Sequence, residues 1–123
     1  GKNDIVTANY GTNNIAIFVN NGTGTFATQV PYDAGSSSQP TGVAVGDFNG
    51  DGKNDIVTAN YGTNNIAIFV NNGTGTFATQ VPYDAGSSSQ PYSVAVGDFD
   101  GDGKIDIVTT NSGTSNIGVF LQM

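Results

Sequence analysis

The chain has 123 residues, the size of one ordinary domain, and its net charge of −7 comes from ten aspartates set against three lysines. It contains no Cys, His, Trp, Glu or Arg. It therefore lacks a thiol nucleophile, an imidazole base and an arginine clamp for phosphate, which argues against an enzyme. The absence of a basic patch argues against nucleic acid as a partner. No apolar run reaches the roughly 18 residues of a membrane span.

The aspartates are concentrated in one repeated segment. Residues 47–55 recur 51 residues later as residues 98–106, and the second half of the same segment opens the chain at residues 1–4. We call 47–55 and 98–106 the first and second acidic loops. Only Asp33 and Asp84 lie outside these segments. Charge gathered at repeated points favours cation binding over a general acidic surface.

The whole chain repeats with this period of 51 residues. Residues 1–40 and 52–91 are identical, and residues 41–51 differ from 92–102 at three positions. The third copy, residues 103–123, has diverged further.

Each period is predicted to form four short strands and no helix, because β-branched residues dominate the runs between turns. An Asn-Gly turn at residues 72–73 separates the third strand from the fourth. Pro82 places the fourth strand at an outer edge, where no ladder donor is needed. The predicted strands of the central period are Val43–Phe48, Asp55–Asn60, Asn65–Asn71 and Thr76–Tyr83.

Both faces of these strands are apolar or small, so each sheet must be covered on both sides. Four strands per repeat of this length predict an all-β fold of β-propeller blades, each a four-stranded antiparallel sheet. The chain then divides into a partial blade at 1–42 with strands two to four, a complete blade at 43–93, and a partial blade at 94–123 with strands one to three. This is a partial propeller or an open repeat array. The alternative, a β-sandwich with a duplicated hairpin, gives no reason for so faithful a repeat.

The segment Val43–Thr58, an apolar strand followed by Asp-x-Asn-x-Asp-Gly-x-x-Asp and an Ile-Val strand, resembles an FG-GAP or VCBS-type repeat. This family builds the heads of integrin α-subunits and some bacterial and fungal lectins. The resemblance implies a propeller of seven or eight blades that binds Ca²⁺ in the loop between the first two strands of a blade. The Gly-Ala-Pro element of the family name is missing from this chain.

When the family's ligand positions are carried over to this sequence, the resemblance implies two cation sites. Each site is built from side-chain oxygens and one main-chain carbonyl. Alternate side chains of a tight loop turn inward, and an all-oxygen set favours Ca²⁺, with Mg²⁺ or Mn²⁺ as alternatives. The first site is Asp47, Asn49, Asp51, Asp55 and the Lys53 carbonyl. The second is Asp98, Asp100, Asp102, Asp106 and the Lys104 carbonyl, and Asp4 remains from the broken loop at the start.

This spacing has two other interpretations. An EF-hand or dockerin-like loop needs a carboxylate at position twelve and flanking helices, whereas Thr58 and Thr109 stand there between β-patterned segments. A plain Asp/Gly-rich turn is the other alternative.

Two further features bear on binding. Asn21 and Asn72 each begin an Asn-Gly-Thr triplet, the pattern of an N-glycosylation acceptor. An aromatic ring among amides, Tyr10 with Asn13 and its copy Tyr61 with Asn64, suits a glycan-binding turn. The alternative is a tyrosine that packs between blades.

These features predict a non-catalytic, Ca²⁺-stabilised binding or adhesion scaffold that is extracellular or on the cell surface. A carbohydrate-binding propeller lectin and a filament- or sheath-forming repeat protein are the alternatives. The expected partners are further blades, from the same longer chain or from other copies, together with glycans or surface proteins.

Overall fold

A computed structural model describes residues 2–123, and these residues form three antiparallel β-sheets without a helix. Gly1, the first residue of the predicted partial blade 1–42, lies outside the described residues. Sheet 1 has the order β1-β2-β3, sheet 2 the order β4-β5-β6-β7, and sheet 3 the order β10-β9-β8. The strands are β1 Ile5–Asn9, β2 Asn14–Phe18, β3 Val30–Asp33, β4 Pro40–Gly46, β5 Asp55–Asn60, β6 Asn65–Phe69, β7 Val81–Asp84, β8 Pro91–Gly97, β9 Asp106–Asn111 and β10 Asn116–Phe120.

Sheet 2 contains the predicted four strands, and β5 has the predicted bounds. β4 begins at Pro40 rather than Val43, because Pro40 already pairs with Asn60 before a bulge shifts the register. Pro82 lies in β7, which is an edge strand as predicted. The described residues do not close into a barrel.

The predicted fourth strand, Thr76–Tyr83, is wrong at its start. The observed strand is Val81–Asp84, and Phe77 forms only an isolated bridge with Asn71. The preceding residues close a tight turn in which the Asn72 N–H donates to the Thr76 carbonyl at 3.0 Å. Between the Asn71–Phe77 bridge and the Ile68–Val81 pair, three residues lie opposite two, so the ladder is interrupted before Val81.

Sheet 2 is covered on both faces, as its apolar pattern predicts. Along β5 the side chains alternate: Ile56 packs toward sheet 1 and Val57 toward sheet 3. The layer between sheets 1 and 2 is centred on Ile15, Ala34, Ile56, Ala67 and Phe69, and the layer between sheets 2 and 3 on Val57, Ile66 and Ile107. All six residues of β5 are buried, so this strand forms the centre of the molecule.

The first strands of sheets 2 and 3 approach closely. The Thr41 hydroxyl donates to the Tyr92 carbonyl at 2.7 Å. A Cβ placed on Gly42 would lie 3.0 Å from the same carbonyl oxygen and 3.2 Å from Ser93 Cα. Gly42 therefore sets how near β4 and β8 can come.

The linker from sheet 1 to sheet 2 is fastened to a turn of sheet 2. The Tyr61 and Gly62 N–H groups donate to the carbonyls of Gln39 (3.2 Å) and Ser38 (2.9 Å). A Cβ on Gly62 would lie 2.1 Å from the Ser37 carbonyl oxygen, so the contact requires glycine. No helix among residues 2–123 has the length and apolar character to cross a membrane.

Candidate metal centre

The two acidic loops connect the first and second strands of sheets 2 and 3, where the sequence placed them. In each loop the first aspartate accepts hydrogen bonds from three backbone amides and so shapes the turn. Asp47 accepts from Gly50 (2.8 Å) and Asp51 (3.0 Å) on Oδ1 and from Gly52 (2.8 Å) on Oδ2. Asp98 accepts from Gly101 (2.7 Å) and Asp102 (3.1 Å) on Oδ1 and from Gly103 (3.0 Å) on Oδ2.

The last aspartate of each loop is buried. Asp55 is fully buried and accepts from the Phe48 N–H at 3.0 Å and the Asn71 N–H at 2.8 Å. Asp106 is equally buried and accepts from the N–H groups of Phe99 (2.8 Å) and Gln122 (2.9 Å). Such a carboxylate ties the loop to the chain leaving the third strand, because a buried charge requires hydrogen-bond donors.

This structural role was missed by the sequence reasoning. Its only signal was that an Asp-Ile-Val segment opens the second strand in all three copies. Asp4, the predicted ligand of the broken loop, makes the same bond: its Oδ1 accepts from the Asn20 N–H at 2.8 Å. The described residues before it, Lys2 and Asn3, add no carboxylate.

The second acidic loop gathers three carboxylates. One oxygen each from Asp98, Asp100 and Asp106 lies within 4.8 Å of the others. Three like charges at this separation repel one another, and a cation among them relieves the repulsion. A set made only of carboxylate oxygens suits a hard cation, so these residues fit Ca²⁺.

The first acidic loop has the same shape but less charge, because Asn49 occupies the place of Asp100. Asn49 Oδ1 accepts from the Asp51 N–H at 3.0 Å, and Asp100 Oδ1 accepts from the Asp102 N–H at 3.1 Å. The side-chain oxygen at this position therefore accepts the same backbone hydrogen bond in both loops. The two loops differ in one negative charge.

The fifth-position aspartates, both predicted ligands, each lie beside a lysine. Asp51 Oδ2 lies 3.1 Å from Lys53 Nζ, and Asp102 Oδ2 lies 3.2 Å from Lys104 Nζ. Hydrogen bonds from the Lys53 side chain and N–H lower the pKa of Asp51, and the Lys104 N–H is the main cause of the lowered pKa of Asp102. A cation that used these carboxylates would compete with the lysine. The Lys53 and Lys104 carbonyls remain predicted ligands.

The predicted glycan-binding amides are engaged in the fold. Asn13 Oδ1 accepts from the Gln39 N–H and Asn64 Oδ1 from the Gln90 N–H, both at 2.9 Å. Tyr10 is exposed, whereas its copy Tyr61 is half-buried. Glycan binding at these turns remains a prediction.

The predicted glycosylation sites lie in exposed turns. Asn21 and Asn72 are both exposed, and each side-chain amide donates to a threonine hydroxyl at 3.2 Å. Their modification remains a prediction.

Three antiparallel sheets that repeat every 51 residues, two of them with an acidic loop between the first and second strands, define an all-β repeat protein. The FG-GAP-like repeat matches residues 1–58 and again residues 47–109, so the chain belongs to this family. The family predicted from residues 43–58 is thereby confirmed. Neither the curated proteins nor the solved structures contain a match to the chain.

Proposed function

We propose that the chain is a non-catalytic binding scaffold of propeller blades that Ca²⁺ rigidifies at the two acidic loops. The observation that carries the proposal is the carboxylate cluster of Asp98, Asp100 and Asp106. Asp47, Asn49 and Asp55 would hold the ion in the first loop. Bound there, the ion would offset the repulsion between carboxylates and stiffen the connection between the first two strands.

The composition supports a scaffold rather than an enzyme. Side chains that serve as nucleophiles or bases at neutral pH, His and Cys above all, are absent from the sequence. The acidic side chains lie together in short loops rather than across a cleft, so they suit a cation better than a pair of catalytic carboxylates.

The exposure of the loops supports a place outside the cell or on its surface. All but the last of the predicted side-chain ligands lie at the surface or are half-buried. We expect Ca²⁺ to bind in the range of roughly 10⁻⁴ to 10⁻³ M that extracellular modules use. Adhesion or ligand binding would then take place on blades held rigid by extracellular Ca²⁺.

The proposal predicts that Ca²⁺ raises the melting temperature, because a ligand that binds only the folded state stabilises it by mass action. Saturation at about 100 times the dissociation constant adds roughly 2.7 kcal/mol per site. Thermal denaturation followed by circular dichroism, with Ca²⁺ and with EDTA, measures the shift. Equal melting temperatures in the two conditions would contradict the proposal.

A reciprocal pair of variants separates cation binding from general stability. Asp100→Asn gives the second loop the same side-chain ligands as the first, and Asn49→Asp gives the first loop those of the second. Each change keeps a side-chain oxygen that accepts from the N–H two residues later. A unit charge acting on a divalent ion over about 4 Å contributes roughly 2 kcal/mol even at the dielectric constant of water. Calorimetric titration should therefore find Ca²⁺ binding more than tenfold weaker at the loop that loses a carboxylate, and stronger at the loop that gains one.

A further inference from the structure

Copies of the same residue differ in exposure according to the sheet that carries them. Ile56 of sheet 2 is 3% exposed, and its copy Ile5 in sheet 1 is 45% exposed. Ile66 of sheet 2 is fully buried, and its counterpart Ile117 in sheet 3 is 64% exposed. The difference cannot come from the residue type, so it comes from a neighbouring sheet that is present in one case and missing in the other.

These exposed residues form two surfaces at opposite ends of the stack. The outer face of sheet 1 carries Ile5 and Phe26, whose counterparts Ile56 and Phe77 pack between sheets 1 and 2. The outer face of sheet 3 carries Phe99, Ile117 and Val119, and their counterparts in sheet 2 are Phe48, Ile66 and Ile68, which pack between sheets 2 and 3. Apolar patches of this kind mark association surfaces.

The two internal interfaces show which faces fit together. Between sheets 1 and 2, Ile15 of sheet 1 packs in one cluster with Ile56 of sheet 2. Between sheets 2 and 3, the equivalent pair is Ile66 with Ile107. In both cases the face of one sheet that carries Ile15 or its copy Ile66 meets the face of the next sheet that carries Ile56 or its copy Ile107. Ile117 and Ile5 are the unpaired members of the same pattern.

We propose that the outer face of sheet 3 binds the outer face of sheet 1 of a second copy of this chain, head to tail. The contact repeats the packing found twice within the molecule. Because the two faces differ, the association is heterologous and leads either to a closed ring or to an open filament. Phe99 of the sheet 3 face lies between the predicted ligands Asp98 and Asp100, so the association is tested without Ca²⁺.

Two substitutions in β8 are compatible with sheet 1 of another copy as the partner. Tyr92 and Ser93 replace Thr41 and Gly42, the residues through which β4 meets the first strand of the next sheet. A Cβ at the Gly42 position already meets backbone atoms at 3.0 to 3.3 Å, so Ser93 opposes an equally close approach. The described strands of sheet 1 correspond to the second, third and fourth strands of sheet 2, and they place no first strand against these residues.

The test uses two variants that each block one face. Ile5→Asp places a charge on the outer face of sheet 1, and Ile117→Asp places one on the outer face of sheet 3. Burying an unpaired carboxylate opposes association, so each variant alone should self-associate roughly a hundredfold more weakly or not at all. Thr74→Asp, in an exposed turn away from both faces, is the matched control and should associate like the unmodified chain.

Mixing the two variants gives the decisive measurement. Each keeps one intact face, so an equimolar mixture should form a one-to-one dimer that cannot grow, whereas the unmodified chain should form larger species as its concentration rises. Sedimentation velocity and light scattering follow both. Circular dichroism checks that the variants fold, and Phe26→Asp and Val119→Asp replace either one that does not.

Three outcomes would overturn the proposal. The unmodified chain could stay monomeric at every concentration, in which case a different sheet or no partner covers these faces. A single variant could associate as well as the control, which would indicate contact between like faces. The mixture could remain monomeric while the unmodified chain associates, which would place the contact elsewhere. All three measurements are made in EDTA, so their outcome is separate from the effect of Ca²⁺ on stability.

Discussion

Gly62 and Gly11 occupy the same position in identical copies of the repeat, yet their surroundings differ. A Cβ on Gly62 would lie 2.1 Å from the Ser37 carbonyl oxygen, whereas a Cβ on Gly11 would meet nothing within 4 Å. Neither glycine has a positive φ. The glycine is therefore required by the preceding linker and not by the turn itself.

Gly62→Ala should accordingly destabilise the fold, because the new methyl group overlaps a backbone oxygen and the linker must move. Overpacking of this kind costs about 1–3 kcal/mol, and urea denaturation measures it. Gly11→Ala is the control: it makes the same chemical change in the same local sequence and should leave stability unchanged or slightly raised. Equal effects of the two variants would contradict the contact between linker and turn.

At the scale of the element, each linker is held by an asparagine of the preceding sheet. Asn64 has a φ of 56° and its Oδ1 accepts from the Gln90 N–H. Asn13 does the same for Gln39 with a φ of 55°. In sheet 3 the position is Ser115, with a φ of 56°. These asparagines set where the following sheet begins.

Replacing Asn64 by Gly should remove this cap without backbone strain, because glycine adopts a positive φ freely. The lost hydrogen bond leaves the Gln90 amide without its acceptor and should cost about 1 kcal/mol. Ser115→Gly increases the conformational entropy of the unfolded chain in the same way. It is therefore the reference variant for Asn64→Gly. The difference between the two variants in free energy of unfolding reports the cap, and a difference of zero would contradict it.

The pattern of apolar residues predicted the strands well where the ladder is regular. β5 was predicted at its observed bounds because Asp55–Asn60 is β-branched and flanked by turns. The fourth strand could not be predicted from propensity, since Thr76–Gln80 alternates like a strand. In the structure this segment is interrupted before Val81, and the Phe77 ring meets that of Tyr32 edge to face at 5.7 Å across the sheets. Local pattern carries no information about that tertiary contact.

The candidate site was predicted in part for a similar reason. Alternate spacing correctly indicated that oxygens converge, and Asp98, Asp100 and Asp106 do lie together. Spacing alone could not indicate that Lys104 binds Asp102. It also could not show that Asp106 is buried and holds two backbone amides, because the partner amide of Gln122 is 16 residues away.

At the scale of the whole molecule, the middle sheet should be the most stable part. Amides of β5 lie between two paired strands, whereas β1 pairs only with β2. The residues of β1 and their copies in β5 have the same sequence, so their intrinsic exchange rates are equal. Hydrogen exchange followed by NMR on segmentally labelled protein should find alternate amides of β1 exchanging orders of magnitude faster than their β5 copies. Equal protection would contradict this distribution of stability.

The identity of the copies also has a consequence for how the chain folds. β5 pairs with β6 across a four-residue turn, but β2 carries the same residues as β6 and could pair with β5 in the same register. The side-chain contacts of that exchanged hairpin would be the same as the native ones. The exchanged hairpin differs from the native one in its loop of 36 residues, from Val19 to Asn54.

The entropy of closing this longer loop disfavours the exchanged hairpin by only about 2 kcal/mol. The short turns between the second and third strands therefore select the native partner, and the same near-degeneracy makes the chain prone to exchange strands between molecules.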